Sequence, residues 1–202
     1  MQVLVAFPGD PEYYASSGAE RRIPPPSSCP NCKCPRRPRL LGYYQRYVSA
    51  KTGEPIQLKI RRFRCTHCRR TVSLLPDFCL SYRVVRGESV ARFLRGNGID
   101  ASDLRWHGLL VGCRKKFASW LPELGSMIHQ TFGLHWEKPS IQSVWMGIEQ
   151  HFGGWIEARC HVLSKCGVTL LGAYRCHRPA FFASSKGDHT PLLFSSGTDP
   201  PI

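Results

Sequence analysis

Two short stretches hold the residue types best suited to chemistry. Cys29-Pro30-Asn31-Cys32 and Cys65-Thr66-His67-Cys68 are both Cys-x-x-Cys turns, separated by the 32 residues from Lys33 to Arg64. A tetrahedral zinc site takes four soft or borderline ligands, and each such turn lets two thiolates reach one ion while nearby backbone N–H groups offset their charge. Two turns make a complete structural site, so Cys29, Cys32, Cys65 and Cys68 are the expected ligands of one Zn2+. Cys34 is a competing thiol close by, but Cys-x-Cys is a poorer chelate than the symmetric pairs. His67 is expected to face solvent.

The separation exceeds the roughly 12–20 residues of the commonest zinc motifs, so the intervening chain must itself bring its ends together. Residues 40–48 read as a strand, 50–55 as a turn and 56–64 as the returning strand. Ile56, Leu58 and Ile60 alternate with Gln57, Lys59 and Arg61, a period of two with one apolar and one basic face. After the second turn, residues 71–78 finish a short strand that leaves at Pro76.

Formal net charge is +14, and it is concentrated. Between Arg21 and Arg95 stand 18 Lys/Arg against Glu54, Asp77 and Glu88, the electrostatic footprint of a polyanion binder. The expected nucleic-acid contacts on the ribbon are Arg36, Arg37, Lys59, Arg61, Arg62, Arg64, Arg69 and Arg70. A merely solvated basic face is the plainer alternative.

The chain then changes period. Residues 88–95 read as a helix ended by Gly96-Asn97-Gly98, and Ser102 as the N-cap of a second helix running to Pro122. Two helices about a Gly-containing turn form a helix-turn-helix pattern, whose second helix would enter a major groove. Ser102 and Arg105 would then contact base edges or phosphate, and Arg114, Lys115 and Lys116 phosphate or solvent. An ordinary helical hairpin fits the same pattern. Further helical stripes lie at 124–132, 141–152 and 155–166.

The expected organisation is α+β: a leader or linker over 1–26, a small four-cysteine zinc ribbon built on a β-hairpin over 27–85, a helix-turn-helix-like segment over 86–122, a helical region over 123–180 and a disordered tail over 181–202. Ten cysteines in paired spacing favour a reducing compartment with metal over a disulfide scaffold. With no signal-peptide pattern and no apolar run long enough to span a bilayer, the expectation is a cytoplasmic protein without membrane contact.

Catalysis is the weaker reading. Metal-dependent phosphoryl transfer needs two or three convergent carboxylates, whereas those beyond the ribbon, Glu149 and Glu157 among them, fall mostly in or beside expected helices. No phosphate loop or nucleophile elbow is present. Cys160, Cys166, Cys176 and His177 raise the question of a second metal, but their spacing matches no common ligand pattern.

The ribbon text, with Cys29-Pro30-Asn31-Cys32, Gly42-Tyr43-Tyr44, Arg61 to Thr71 and Ser73 to Phe78, resembles an uncharacterised bacterial family of transposase-like proteins associated with insertion sequences and carrying a domain of unknown function. The likeness covers residues 27–85 and extends loosely to about 120. It implies the four cysteines as zinc ligands, recognition of element ends, and nothing catalytic. The chain is therefore expected to be a zinc-dependent DNA-binding accessory or regulatory protein, not an enzyme. Its expected partners are nucleic acid, DNA ahead of RNA, and a protein of the same mobile element. The alternative is a zinc-ribbon scaffold for an acidic protein partner.

Overall fold

The expected hairpin is the longest β element in the computed structural model, which describes residues 1–172 and the backbone of 176–177. Strand β2 (Arg39–Ser49) pairs antiparallel with β3 (Pro55–Arg64). Leu58 and Ile60 are buried while Gln57 and Lys59 are exposed, as the period of two requires. β4 (Thr71–Pro76) adds antiparallel to β3.

The N-terminus departs from expectation. Residues 1–26, expected as a leader or linker, contribute β1 (Gln2–Val5), which lies parallel to β4 inside the sheet. The strand order is β2-β3-β4-β1-β5, where β5 (Cys176–His177) is a two-residue parallel addition to β1. Val3, Leu4 and Val5 are all buried. A short strand covered on both faces shows a continuous apolar run and no alternation, which is why it escaped notice. The chain continues through α1 (Pro11–Ser16), capped by the Asp10 side chain, and a 3-10 turn (Ala19–Arg21). Tyr14, Ala19 and Ile23 from this segment join the sheet core with Phe63, Val72 and Leu74.

A second core lies among the helices α2 (Gly87–Arg95), α3 (His107–Phe132), α4 (Ile141–Phe152) and α5 (Trp155–Cys166). Left-handed glycines at 96, 133, 153 and 167 end the four helices. Helix α3 runs through Pro122, where a break was expected. Proline removes one helical hydrogen bond, but Ala118, whose carbonyl loses that donor, is exposed, and Phe117, Leu124 and Ile128 are buried on either side. Residues 181–202, expected as a tail, lie outside the described residues. None of the described helices is long and apolar enough to cross a membrane.

The helix-turn-helix expectation is also corrected. Residues 101–106 form a 3-10 turn, and the α-helix begins only at His107. Buried Asp103 holds this turn by accepting from Ser89 Oγ at 2.9 Å and pairing with Arg92. The turn is docked on the tip of the β2–β3 hairpin. The Trp106 indole donates to the Gly53 carbonyl at 2.8 Å and Arg105 pairs with Glu54 at 2.5 Å. A Cβ at Gly53 would lie 1.7 Å from the Ser102 carbonyl oxygen. Ser102 and Arg105, two of the residues expected at a DNA groove, thus lie where the two cores join.

Two buried groups complete that joint. Arg159 donates to the Asp77 carbonyl at 2.6 Å, and the Asp77 carboxylate accepts from the Phe7 N–H at 3.3 Å. Burial pushes the Asp77 carboxyl up to about 6 from its ordinary 3.8. Because the folded state keeps this proton to higher pH than the unfolded chain does, Asp77 costs stability progressively between about pH 4 and 6 and fully above that window. Asp77→Asn should therefore gain stability over the wild type between those pH values, by on the order of 2–3 kcal/mol. Urea midpoints for both proteins at pH 4 and 7 measure it, and a pH-independent difference would contradict the assignment.

Candidate metal centre

The two Cys-x-x-Cys turns close the open ends of the hairpin and face each other. Sγ of Cys29 lies 3.7 Å from that of Cys68, Sγ of Cys32 lies 3.7 Å from that of Cys65, and all four sulfurs fall within 4.8 Å of one another. A disulfide requires about 2.05 Å, so these are free thiols. Four sulfurs about 2.3 Å from a tetrahedral ion stand about 3.8 Å apart. The cluster has the size that a thiophilic metal needs.

Both turns are built alike. The Cys29 carbonyl accepts from Lys33 N–H at 2.8 Å, and Cys29 N–H donates to the Cys34 carbonyl at 3.1 Å. In the second turn Arg69 donates to Cys65 at 3.1 Å and Cys65 donates to Arg70 at 3.0 Å. Lys33 and Arg69 occupy the same position, each with positive φ, 58° and 60°, a conformation uncommon outside glycine. Cys34 and Arg70 are likewise equivalent. Cys34 therefore acts through its backbone, and its thiol lies outside the cluster.

This geometry aims backbone N–H groups at the sulfurs. Those of Asn31 and Cys32 reach Cys29, and those of His67 and Cys68 reach Cys65. The Arg70 N–H holds the Cys68 thiol down at about 6, and the Cys68 N–H lowers Cys65. Cys32 receives the Cys34 N–H, yet burial and the three neighbouring sulfurs push it up to about 12; burial also raises Cys29. Backbone donors thus favour the charged form at Cys65 and Cys68, while burial disfavours it at Cys29 and Cys32. A bound cation must displace the remaining protons, so affinity falls as pH falls.

The other expected site residues divide into four groups. Arg36, Arg37, Arg64, Arg69 and Arg70 are exposed on or next to the turns, together with Lys33 and Arg39, which sequence reasoning passed over. Lys59 is exposed farther along β3, where Arg61 and Arg62 are half-buried. Arg61 donates to the carbonyls of Arg21 and Ile23 at 3.1 and 2.5 Å, clamping the N-terminal segment to the sheet, and Arg62 stacks over Tyr44. Ser102 and Arg105 sit at the hairpin tip. Arg114 and Lys115 are exposed on α3, while Lys116 is half-buried.

Among the described residues the four cysteines form the only group of three or more metal-binding side chains. Cys160 is half-buried on α5 with its thiol pushed up to about 11 by burial, and Cys166 donates to Thr131. The side chains of Cys176 and His177 lie outside the described residues, so the second-metal question ends there.

Residues 29–106 match a family model described as a domain of unknown function (DUF6431). The match starts at the first cysteine of the cluster and ends at Trp106, whose indole holds the hairpin tip. No curated protein and no solved structure matches the chain.

Replacing any one of Cys29, Cys32, Cys65 or Cys68 by Ser should abolish stoichiometric metal binding, whereas Cys34→Ser and Cys160→Ser should leave one ion per chain. Elemental analysis of the purified variants reads this directly. Loss of the ion in Cys34→Ser would contradict the ligand set.

Proposed function

We propose that this chain is a zinc-dependent nucleic-acid-binding module, with DNA as the expected form, that acts by binding and not by catalysis. The observation that carries the reading is the cluster of Arg36, Arg37, Arg39, Arg64, Arg69 and Arg70 around the four-thiolate site. All six are exposed, and none takes part in an ion pair among the described residues. Arg39 stands directly opposite Arg64 in the ladder, and like charges so placed are destabilising until an anion joins them.

A divalent ion with four thiolates keeps two negative charges, which offsets part of this field. The remainder is positive. From Arg21 to Pro76 the chain has a single acid, Glu54, and Arg105 engages it. Zinc fits the all-sulfur donor set of a closed structural site. The absence of catalysis is part of the proposal, supported by carboxylates already committed to cations: Asp10 to Lys51, Asp100 and Asp103 to Arg92, and Glu88 and Glu149 to Arg95. A reducing, cytoplasmic setting keeps the thiols available. Service to a mobile element rests on the resemblance of the ribbon alone.

Leu40 and Leu41, both 50 % exposed on the edge strand β2, favour the second reading of a scaffold for an acidic protein partner. A partner retained after nuclease treatment supports it.

Binding to duplex DNA should weaken linearly in log affinity against log salt. The double variant Arg69→Ala/Arg70→Ala should flatten that slope by roughly 0.9 for each phosphate it no longer neutralises. Arg61→Ala should instead lower thermal stability, because its guanidinium is occupied by two carbonyls. A wild-type interaction indifferent to salt would remove the electrostatic reading.

A further inference from the structure

The outer face of the hairpin has a different character from its metal-bearing end. The ladder places Tyr43, Gln45 and Tyr47 of β2 on one face with Gln57, Lys59 and Arg61 of β3. Tyr43 and Tyr47 are 44 % and 50 % exposed, large values for aromatic side chains. The strand is not covered there, because β2 is the edge of the sheet and α1 with its following turn lies over β3.

Between that segment and the hairpin face run two adjoining depressions of about 480 and 250 Å³. Glu20, Arg21 and Lys59 line both, Gln57 the first, and Tyr43 and Gln45 the second. The floor is thus aromatic and amide-bearing, with cations along one side. Glu20 is the contrary charge, and it faces Arg21 at 3.9 Å. Lys59 is exposed and makes no ion pair among the described residues.

The amides are fixed in a way that leaves specific groups available. Gln57 Nε2 donates both to Gln45 Oε1 and to the Tyr47 hydroxyl, each at 3.0 Å. Its own carbonyl oxygen and the Gln45 amino group remain to meet a base edge, and the Tyr47 ring is held in place by its hydroxyl.

We propose that this groove and the strand face beside it take single-stranded nucleic acid, with bases stacked on Tyr43, which lines the groove, and on Tyr47, which lies outside it on the same face, and phosphates along Lys59 and Arg21. The proposal rests on the polyanion reading above and adds strandedness and location to it. Aromatic platforms beside a positive groove bind unpaired bases because every base offers a π face. In a duplex those faces are already stacked at about 3.4 Å per base, whereas the two tyrosines, four strand residues apart, are separated by about 14 Å. Their spacing suits bases drawn apart on an extended strand. Charge argues for a polyanion over a protein strand adding to the β2 edge, since the hairpin's only acid is the already paired Glu54.

The test uses the full-length metal-loaded protein and fluorescence anisotropy at fixed salt, with a labelled oligothymidine, a duplex of equal length and a polyglutamate peptide as probes. The single strand should bind more tightly than the duplex. Tyr43→Ala and Tyr47→Ala should each weaken single-strand binding on the order of tenfold, with duplex binding and the salt slope unchanged, and Tyr43→Phe and Tyr47→Phe should retain it. Equal affinity for both probes, with no effect of either alanine, would overturn the groove while leaving the electrostatic reading intact. Failure to bind either nucleic acid would overturn both. Polyglutamate binding that is lost in the alanine variants while single-strand binding persists would assign the face to protein instead.

Discussion

Four sulfur atoms brought within bonding range of one cation are the constraint on which the rest of the molecule depends. The residues that carry them are distant in sequence, and the only covalent path between the two pairs is the long hairpin. An isolated two-stranded ribbon is marginal in water. Here it is fastened at both ends. The cysteine turns close the open end, and the Trp106 and Arg105 contacts hold the tip. β2 alone, with 11 residues, spans about 37 Å, so the two fastenings act at opposite ends of a long ribbon. Metal loss would release one end and leave the other in place, and the arginines around the cysteine turns would then lose their common frame.

Charge is managed differently along that length. At the tip, in the helical core and at the N-terminal clamp, arginines are consumed by structure: Arg105 on Glu54, Arg92 on two aspartates, Arg95 on Glu149, Arg61 and Arg46 on backbone carbonyls. At the cysteine end they are left to solvent. The same residue type therefore stands in two settings, and only its surroundings separate a clamp from a side chain open to solvent. A desolvated guanidinium bonded to carbonyls has little left to offer a phosphate, while an exposed one beside others of its kind lowers the local cost of bringing an anion near.

The hairpin and the four-cysteine cluster were legible in the sequence because each has a strong local signature: alternation in Ile56 to Arg61, and paired Cys-x-x-Cys turns. Helix ends at Gly96, Gly153 and Gly167 were legible for the same reason. What escaped was settled by tertiary contact. Val3-Leu4-Val5 is too short and too uniformly apolar to announce a central parallel strand. Pro122 signals a break that flanking burial overrides. Ser102 and Asp103 resemble a helix start, yet the carboxylate goes to Arg92 and Ser89 and the Ser102 carbonyl packs against Gly53. Nothing in the spacing of Arg61 and Arg64 says that one binds carbonyls and the other faces water. Tyr43 and Tyr47 were visible as residues, but their exposure depends on β2 being an edge.

The most direct measurement of the central claim is X-ray absorption at the metal edge of protein purified from reducing cells without added metal. Four sulfur scatterers at about 2.3 Å around one zinc ion per chain are the result expected. A first shell with nitrogen or oxygen ligands, or protein that folds with no metal bound, would contradict it.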